Sequence, residues 1–214
     1  MKRFALGMVL MGALAAAAGA GPLLQADVQS YAPDGANRIK IEFPVGKFTL
    51  EGDDGRTIRV QLRIDCKDAD ADECQAAARR IRLDHSSSGG LFRLEFSGVS
   101  KNWSRRHTTV EAHVLVPRAL AAELNMGVGS ANVTGMRRDI DVELGVGELN
   151  VRAARADTRR VDAEAGVGGA SIDARAGDVR ERGFIGHTAR WNDGPGNAVI
   201  RAHVGVGKSS VSLR

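Results

Sequence analysis

The acidic run Asp68, Asp70, Asp72 and Glu73 opens with the alternate-carboxylate spacing of a calcium loop, in which oxygens from successive odd positions wrap one cation. The pattern then breaks. Glu73 stands where the sharp turn of such a loop needs Gly, and Arg79 stands where a bidentate Glu must close the shell. Acids ahead of an Ala-rich stretch fit the start of a short helix better, because they complement its dipole. The five histidines, His85, His107, His113, His187 and His203, show neither H-x-x-x-H nor H-E-x-x-H spacing, so a zinc hydrolase lacks its ligands. No G-x-S-x-G elbow is present. The GVG segments are not phosphate loops, since strand patterns rather than helices flank them; Lys208 of GVGKSSV holds the position taken by Ser130, Glu148 and Gly169 elsewhere. The sequence predicts no catalytic residue, no metal and no cofactor.

Other residues could bind without reacting. Trp191, Asn192 and Asp193 offer a ring, an amide and a carboxylate of the kind that meets sugars or cations, although Asp193 to Gly196 also read as a plain turn. Trp103, Arg105 and Arg106, beside Lys101 and His107, combine an aromatic with cations. Arg137, Arg138, Arg155, Arg159, Arg160, Arg175, Arg180 and Arg182 fall between repeated segments, where coiling would gather them into a stripe for phosphate or anionic glycan. Asp139, Asp157, Asp162 and Asp178 share those connections and can neutralise the stripe. Cleavage of polysaccharide would need Asp162, Glu164, Asp173 and Asp178 to converge with Arg175 in one groove.

The elements that would position these groups follow from a chain of 214 residues with 26 Gly, 43% hydrophobic residues and only 4% aromatic ones. Such a composition suits thin, layered packing of Val, Ile, Leu and Ala. The 30 basic and 26 acidic residues interleave, so nucleic acid is not predicted as a partner. Lys2 and Arg3 precede 23 uncharged residues ending among small ones, the pattern of a secretory signal peptide over 1–26. Cleavage is expected after Ala20 or Ala26, with Ala26 favoured by the L-Q-A site behind Pro22. Removing that segment lowers the formal charge from +4 to +2. Cys66 and Cys74 then lie in an exported protein, periplasmic or associated with the cell envelope, and are expected to form one disulfide.

Residues 27–214 read as a single β-repeat domain. LNMGVGSANV, VELGVGELNV, AEAGVGGASI and AHVGVGKSSV end at Val133, Val151, Ile172 and Val211, spaced by 18, 21 and 39 residues. The doubled last spacing predicts a degenerate copy around FIGHTARWNDGPGN, and IEFPVGKFTL near the start is a looser fifth copy. Apolar residues alternate through each copy and slip phase at the glycines, which predicts two strands meeting at a corner formed by Gly127 and Gly129, Gly145 and Gly147, Gly166 and Gly168, and Gly205 and Gly207. Stacked copies predict inward columns of Val128, Val146, Val167 and Val206, and of Ala131, Leu149, Ala170 and Ser209. The fold class expected is all-β, a single-stranded parallel β-helix or β-solenoid with about 20 residues per turn. A small helix-containing insert, 66–83 with the disulfide, interrupts its N-terminal half, and the regular GVG repeats occupy 114–214. An antiparallel sandwich ranks second, because its hairpins would favour Asn-Gly or Asp-Gly turns over one motif recurring in one orientation.

The IEFPVGKFTLEG unit, the strand-and-helix excursion, the V-x-V-P segment at 114–117 and the GVG-spaced strands together resemble the bacterial envelope β-strand-repeat family. This domain of unknown function often carries the label "putative adhesin". The resemblance covers roughly 38–214, is most specific over 114–214, and departs from the family at the weak copy near 184–197 and at the cysteine-bearing insert. It implies non-enzymatic envelope work, linked to surface contact or cell-wall stress, with no catalytic residues to carry over. The reading is a scaffold that displays charged turns to an envelope component, whether glycan, lipid surface or protein, with self-association through the C-terminal turn GVGKSSVSLR as a further expectation.

Overall fold

Apolar residues at every second position turn to one side of an extended backbone, and the chain obeys this period over most of its length. The computed structural model describes residues 24–25, 28–66, 72, 76, 78–98, 108–174, 180–182, 186–192 and 194–214. They form an all-β protein with strands β1 (Leu24–Gln25), β2 (Gln29–Tyr31), β3 (Arg38–Asp53), β4 (Ile58–Cys66), β5 (Arg82–Ser88), β6 (Leu91–Ser97), β7 (Thr108–Pro117), β8 (Ala121–Thr134), β9 (Ile140–Ala153), β10 (Thr158–Asp173), β11 (Arg180–Arg182), β12 (His187–Trp191) and β13 (Ala198–Leu213). All join one sheet.

The centre of the sheet is five long parallel strands in the order β3, β8, β9, β13, β10. Each carries PVG or GVG near its middle, and the motifs stand in register, so that Val45, Val128, Val146, Val206 and Val167 are successive neighbours. One edge of β3 divides its pairing at this corner: Arg38 to Glu42 pair with β6, and Lys47 to Asp53 pair with β7. Antiparallel strands complete the sheet, with β4 on β7, β5 on β6 and β12 on β10.

Glycine is required at the corner. Gly129, Gly147, Gly168 and Gly207 have φ between 128° and 140°, a region that L side chains avoid. A Cβ placed on Gly147 would lie 1.8 Å from the carbonyl oxygen of Gly129, so the strands approach too closely for any side chain there. The alternation slips across this point. In β9, Ile140, Val142 and Leu144 are buried before it, and Leu149 and Val151 after it. Inward residues of both halves belong to one core. Rings fill the β3–β6 end, where Phe43 lies 5.2 Å from both Phe48 and Phe96, while Val, Leu, Ile and Ala fill the repeated strands.

Four expectations are corrected. A coil that adds strands in chain order is not what forms, because the last strand, β13, lies between β9 and β10. Any GVG corner matches any other, so register alone leaves the order of copies free. The stretch expected to hold a degenerate copy lacks a GVG corner; its strand β12 runs antiparallel to β10. Pairing of the C-terminal turn with a second chain has no free edge to use, since β13 is bonded along both sides and Arg214 is tied by backbone hydrogen bonds to Ala153 and Arg155. The column Ala131, Leu149, Ala170 and Ser209 is buried as expected, but Val128, Val146, Val167 and Val206 point outward. Of the signal segment only Leu24–Gln25 are described, paired with β4, while half of the insert at 66–83, where a helix is expected, and Cys74, hence the Cys66–Cys74 pairing, lie outside the described residues.

Candidate functional site

In-register parallel strands turn each outward position into a row that crosses the stack, with neighbours about 4.8 Å apart. The corner row is apolar. Val128, Val146, Val206 and Val167 are 42%, 46%, 47% and 56% exposed, although valine is ordinarily among the most buried residues. Beside it runs a strip without side chains, because a Cβ on Gly127 would lie 2.4 Å from the Pro44 carbonyl oxygen, and a Cβ on Gly145 or Gly205 would lie 2.6 Å from the oxygen of the next strand. The following outward row, in sheet order, is Glu95, Glu42, Asn125, Glu143, His203 and Glu164. Between the carboxylates and the corner lies a groove of about 590 Å³, lined by Glu42, Glu95, Asn125, Glu143 and His203 and floored by Gly127, Gly145 and Gly205.

The next row is also charged but neutralises itself. Lys40 pairs with Glu123 at 2.5 Å, Arg201 with Asp141 at 3.6 Å, and both Arg160 and Arg190 with Asp162, at 2.7 Å and 3.3 Å. Burial nevertheless pushes the Asp141 carboxyl above its ordinary range, because desolvation outweighs Arg201 and because Glu143 and Glu123 repel its charge. In the groove row Glu42 accepts from Arg93 at 3.1 Å, and Glu164 lies 3.6 Å from Arg190 and 3.7 Å from His203. Glu95 and Glu143 have no ion-pair partner among the described residues.

Past the corner the outward surface changes character. Thr49, Asn132, Asn150, Ser210 and Ser171 form an uncharged row, with the Ser171 and Ser210 hydroxyls 3.3 Å apart. His113 extends it and contacts Glu51 at 3.1 Å.

The residues singled out from the sequence fare unevenly. Trp191 is buried, not displayed: it pairs with Val161 across β12 and β10, and Gly194 packs against its ring, where a Cβ would lie 2.4 Å from the indole. The Arg155 guanidinium sits 5.7 Å above the same ring. Asn192 is exposed beside it, while Asp193, Trp103, Arg105 and Arg106 lie outside the described residues. Arg137 pairs with Asp157 at 3.9 Å and Arg160 with Asp162, so part of the arginine stripe is neutralised. Asp162 and Glu164 share the outward face of β10 before its corner, Asp173 lies at the far end of that strand, and Arg175 and Asp178 lie outside the described residues. Of the eight glycines, Gly129, Gly147, Gly168 and Gly207 have positive φ, and Gly127, Gly145, Gly166 and Gly205 stand two residues before them against the backbone of the next strand. Sequence reasoning missed the carboxylate row and the outward valines. The signal for the valines is their phase: Val146 is in step with Val142 and Leu144 but out of step with Leu149 and Val151, and only one half can be right at a corner.

A solved structure shares this architecture. It is a "putative cell adhesion protein" from Clostridium sporogenes ATCC 15579, which aligns over 90% of this chain and 100% of its own, at 15% identity and a TM-score of 0.52. At that identity the likeness is one of fold. A "putative adhesin" from Parabacteroides merdae ATCC 43184 aligns over 59% of this chain and 52% of its own, at 13% identity and a TM-score of 0.28. Another from Bacteroides fragilis NCTC 9343 aligns over 88% and 96%, at 10% and 0.31. Scores of that size carry no weight for the fold. No family model matches the chain, and no curated protein matches it in sequence.

Proposed function

We propose that this chain is exported and serves in the bacterial envelope as a non-enzymatic binding scaffold, its stacked strands holding rows of side chains toward a glycan, a lipid surface or a protein. The observation that carries the reading is the in-register stack: five parallel strands align like positions into continuous outward rows, one of which exposes four valines. A contiguous apolar strip kept in water costs solubility and marks a contact surface. Lys2 and Arg3 ahead of an uncharged stretch support export, with a signal segment over 1–26, and the fold is that of a protein described as a putative cell adhesion protein. In this reading the stack works as a solenoid-like support, the Cys66–Cys74 disulfide staples its insert in an oxidising compartment, and the charged connections add a salt-sensitive component.

The test is sedimentation of the purified protein with isolated envelope fractions, followed by cross-linking of the tagged protein in cells. The reading expects retention on the envelope that weakens as salt rises, and cross-links to envelope components. Absence of retention even at low salt, or recovery of the protein only from the cytoplasm, would overturn it.

A further inference from the structure

The strand that the N-terminal segment covers is β4. One side of β4 is bonded to β7 from Arg59 to Cys66. Among the described residues its other side meets β2, at Ile58 to Val60, and β1, at Arg63 and Ile64. The register shows β1 and β2 to be two lengths of one edge strand. Both run antiparallel to β4: Leu24 and Gln25 stand opposite Ile64 and Arg63, and Gln29 to Tyr31 stand opposite Val60 to Ile58, with the pairing slipped by one residue between them. One extra residue is the offset of a β-bulge, a common feature of sheet edges. The second length is anchored, since the Tyr31 ring lies 4.3 Å from that of His85 and 5.9 Å from that of Phe92. The first length closes the backbone beside Ile64, a core residue only 4% exposed. Leu24 and Gln25 are therefore part of the sheet, and cleavage after Ala26 would discard them.

The residues just upstream offer another site. A signal sequence ends on an A-x-A pattern, with small residues first and third before the cut. Ala18-Gly19-Ala20 places alanine at both positions, whereas Leu24-Gln25-Ala26 places leucine at the third. We propose that a signal peptidase cuts this chain after Ala20, so that the exported protein begins at Gly21 and keeps β1 as the cover of β4. The inference rests on the export part of the scaffold reading and moves the boundary within its signal segment six residues toward the start of the chain. The step is hydrolysis: water adds across the Ala20–Gly21 peptide bond, leaving a carboxylate on the released segment and a new α-amino group on Gly21. Its consequence is structural. An uncovered edge presents free N–H and C=O groups to other chains. Cleavage after Ala20 leaves β4 paired on both sides as far as Ile64, whereas cleavage after Ala26 would open that edge at Arg63 and Ile64.

The experiment expresses the full chain, with its own start and a C-terminal tag, in a bacterium and measures the intact mass of the protein recovered from each cell fraction. The expected product in the envelope or periplasmic fraction is 21–214 plus the tag. A product of 27–214, or an uncut chain in the membrane fraction, overturns the proposal and leaves export standing; an uncut chain confined to the cytoplasm overturns the export reading as well. Two variants sharpen the result. Ala20→Leu should lose the 21–214 product, because a large side chain occupies the last position before the cut, and Ala26→Leu should leave that product unchanged. The reverse pattern overturns the assignment. Hydrogen exchange of the recovered protein then reads the cover itself: Leu24–Gln25 should be protected as Gln29–Tyr31 are, and free exchange throughout 21–26 would overturn the role given to β1.

Discussion

Two columns of side chains flank the same glycine corner and meet opposite fates. Ala131, Leu149, Ser209 and Ala170 are sealed in the core, while Val128, Val146, Val206 and Val167, three residues earlier on the same strands, stand about half in water. The valines are the more apolar set. Residue type therefore does not decide which column is inside; the backbone does, because a glycine at φ near 130° breaks the two-residue alternation and the second half of each strand starts a new phase. The corner thus converts a hydrophobic position into displayed surface, and it does so at the same height in every strand.

The comparison breaks most visibly if the corner itself is altered. Gly147→Ala forces a Cβ to within 1.8 Å of the Gly129 carbonyl oxygen at φ 140°, and should cost about 3 kcal/mol or more in denaturant unfolding. Gly169→Ala, whose Cβ meets nothing within 4 Å, should stay within about 0.5 kcal/mol of wild type. The columns should then separate by size of effect. Leu149→Ala, fully buried, should cost about 2–5 kcal/mol, whereas Val146→Thr should change stability by about 0.5 kcal/mol or less. Equal losses at the two sites would erase the distinction. Ser209 is the polar member of the inner column and donates to the Ala202 carbonyl at 2.9 Å, so Ser209→Ala should cost about 1 kcal/mol.

The smallest effect concerns the outward charged row. Burial raises the Asp141 carboxyl in the folded chain, so folding binds its proton more tightly, and this group favours the folded state at acid pH. That contribution is lost as pH rises through the carboxylate range. Asp141→Asn should therefore melt slightly higher than wild type above that range, with the difference closing on acidification. A variant that melts lower than wild type at neutral pH would show that the Arg201 pair outweighs desolvation.

Much of this architecture was written in the repeat. The corner glycines, the fifth copy at Val45 and Gly46, and the inner column at Leu149 all follow from alternation and recurrence, which are properties of neighbouring residues in one chain. The place of β13 did not follow. Val206 and Gly207 fit against Val146 and Gly147 on one side and Val167 and Gly168 on the other, and repeats that match so well carry little information about their own order. The same limit hid the groove. Glu95, Glu42, Glu143 and Glu164 fall into one row only once the strand order is known. Trp191 misled because a turn rich in Gly and Pro reads as exposed loop, while Gly194 folds that turn against the indole and closes the core there. The scarcity of rings has a matching cause: Phe43, Phe48, Phe92 and Phe96 cluster on β3 and β6, and the buried columns of β8, β9, β13 and β10 hold no ring, being filled mostly by small and aliphatic side chains.

The outward turn of the corner valines is the claim on which the scaffold reading depends. Methyl-labelled valine spectra recorded with a water-soluble nitroxide test it in the unmodified protein. The account predicts that Val128, Val146, Val167 and Val206 lose signal first, while Val133, Val151, Val204 and Val211, all nearly inaccessible, persist. Equal protection of the two sets would contradict it.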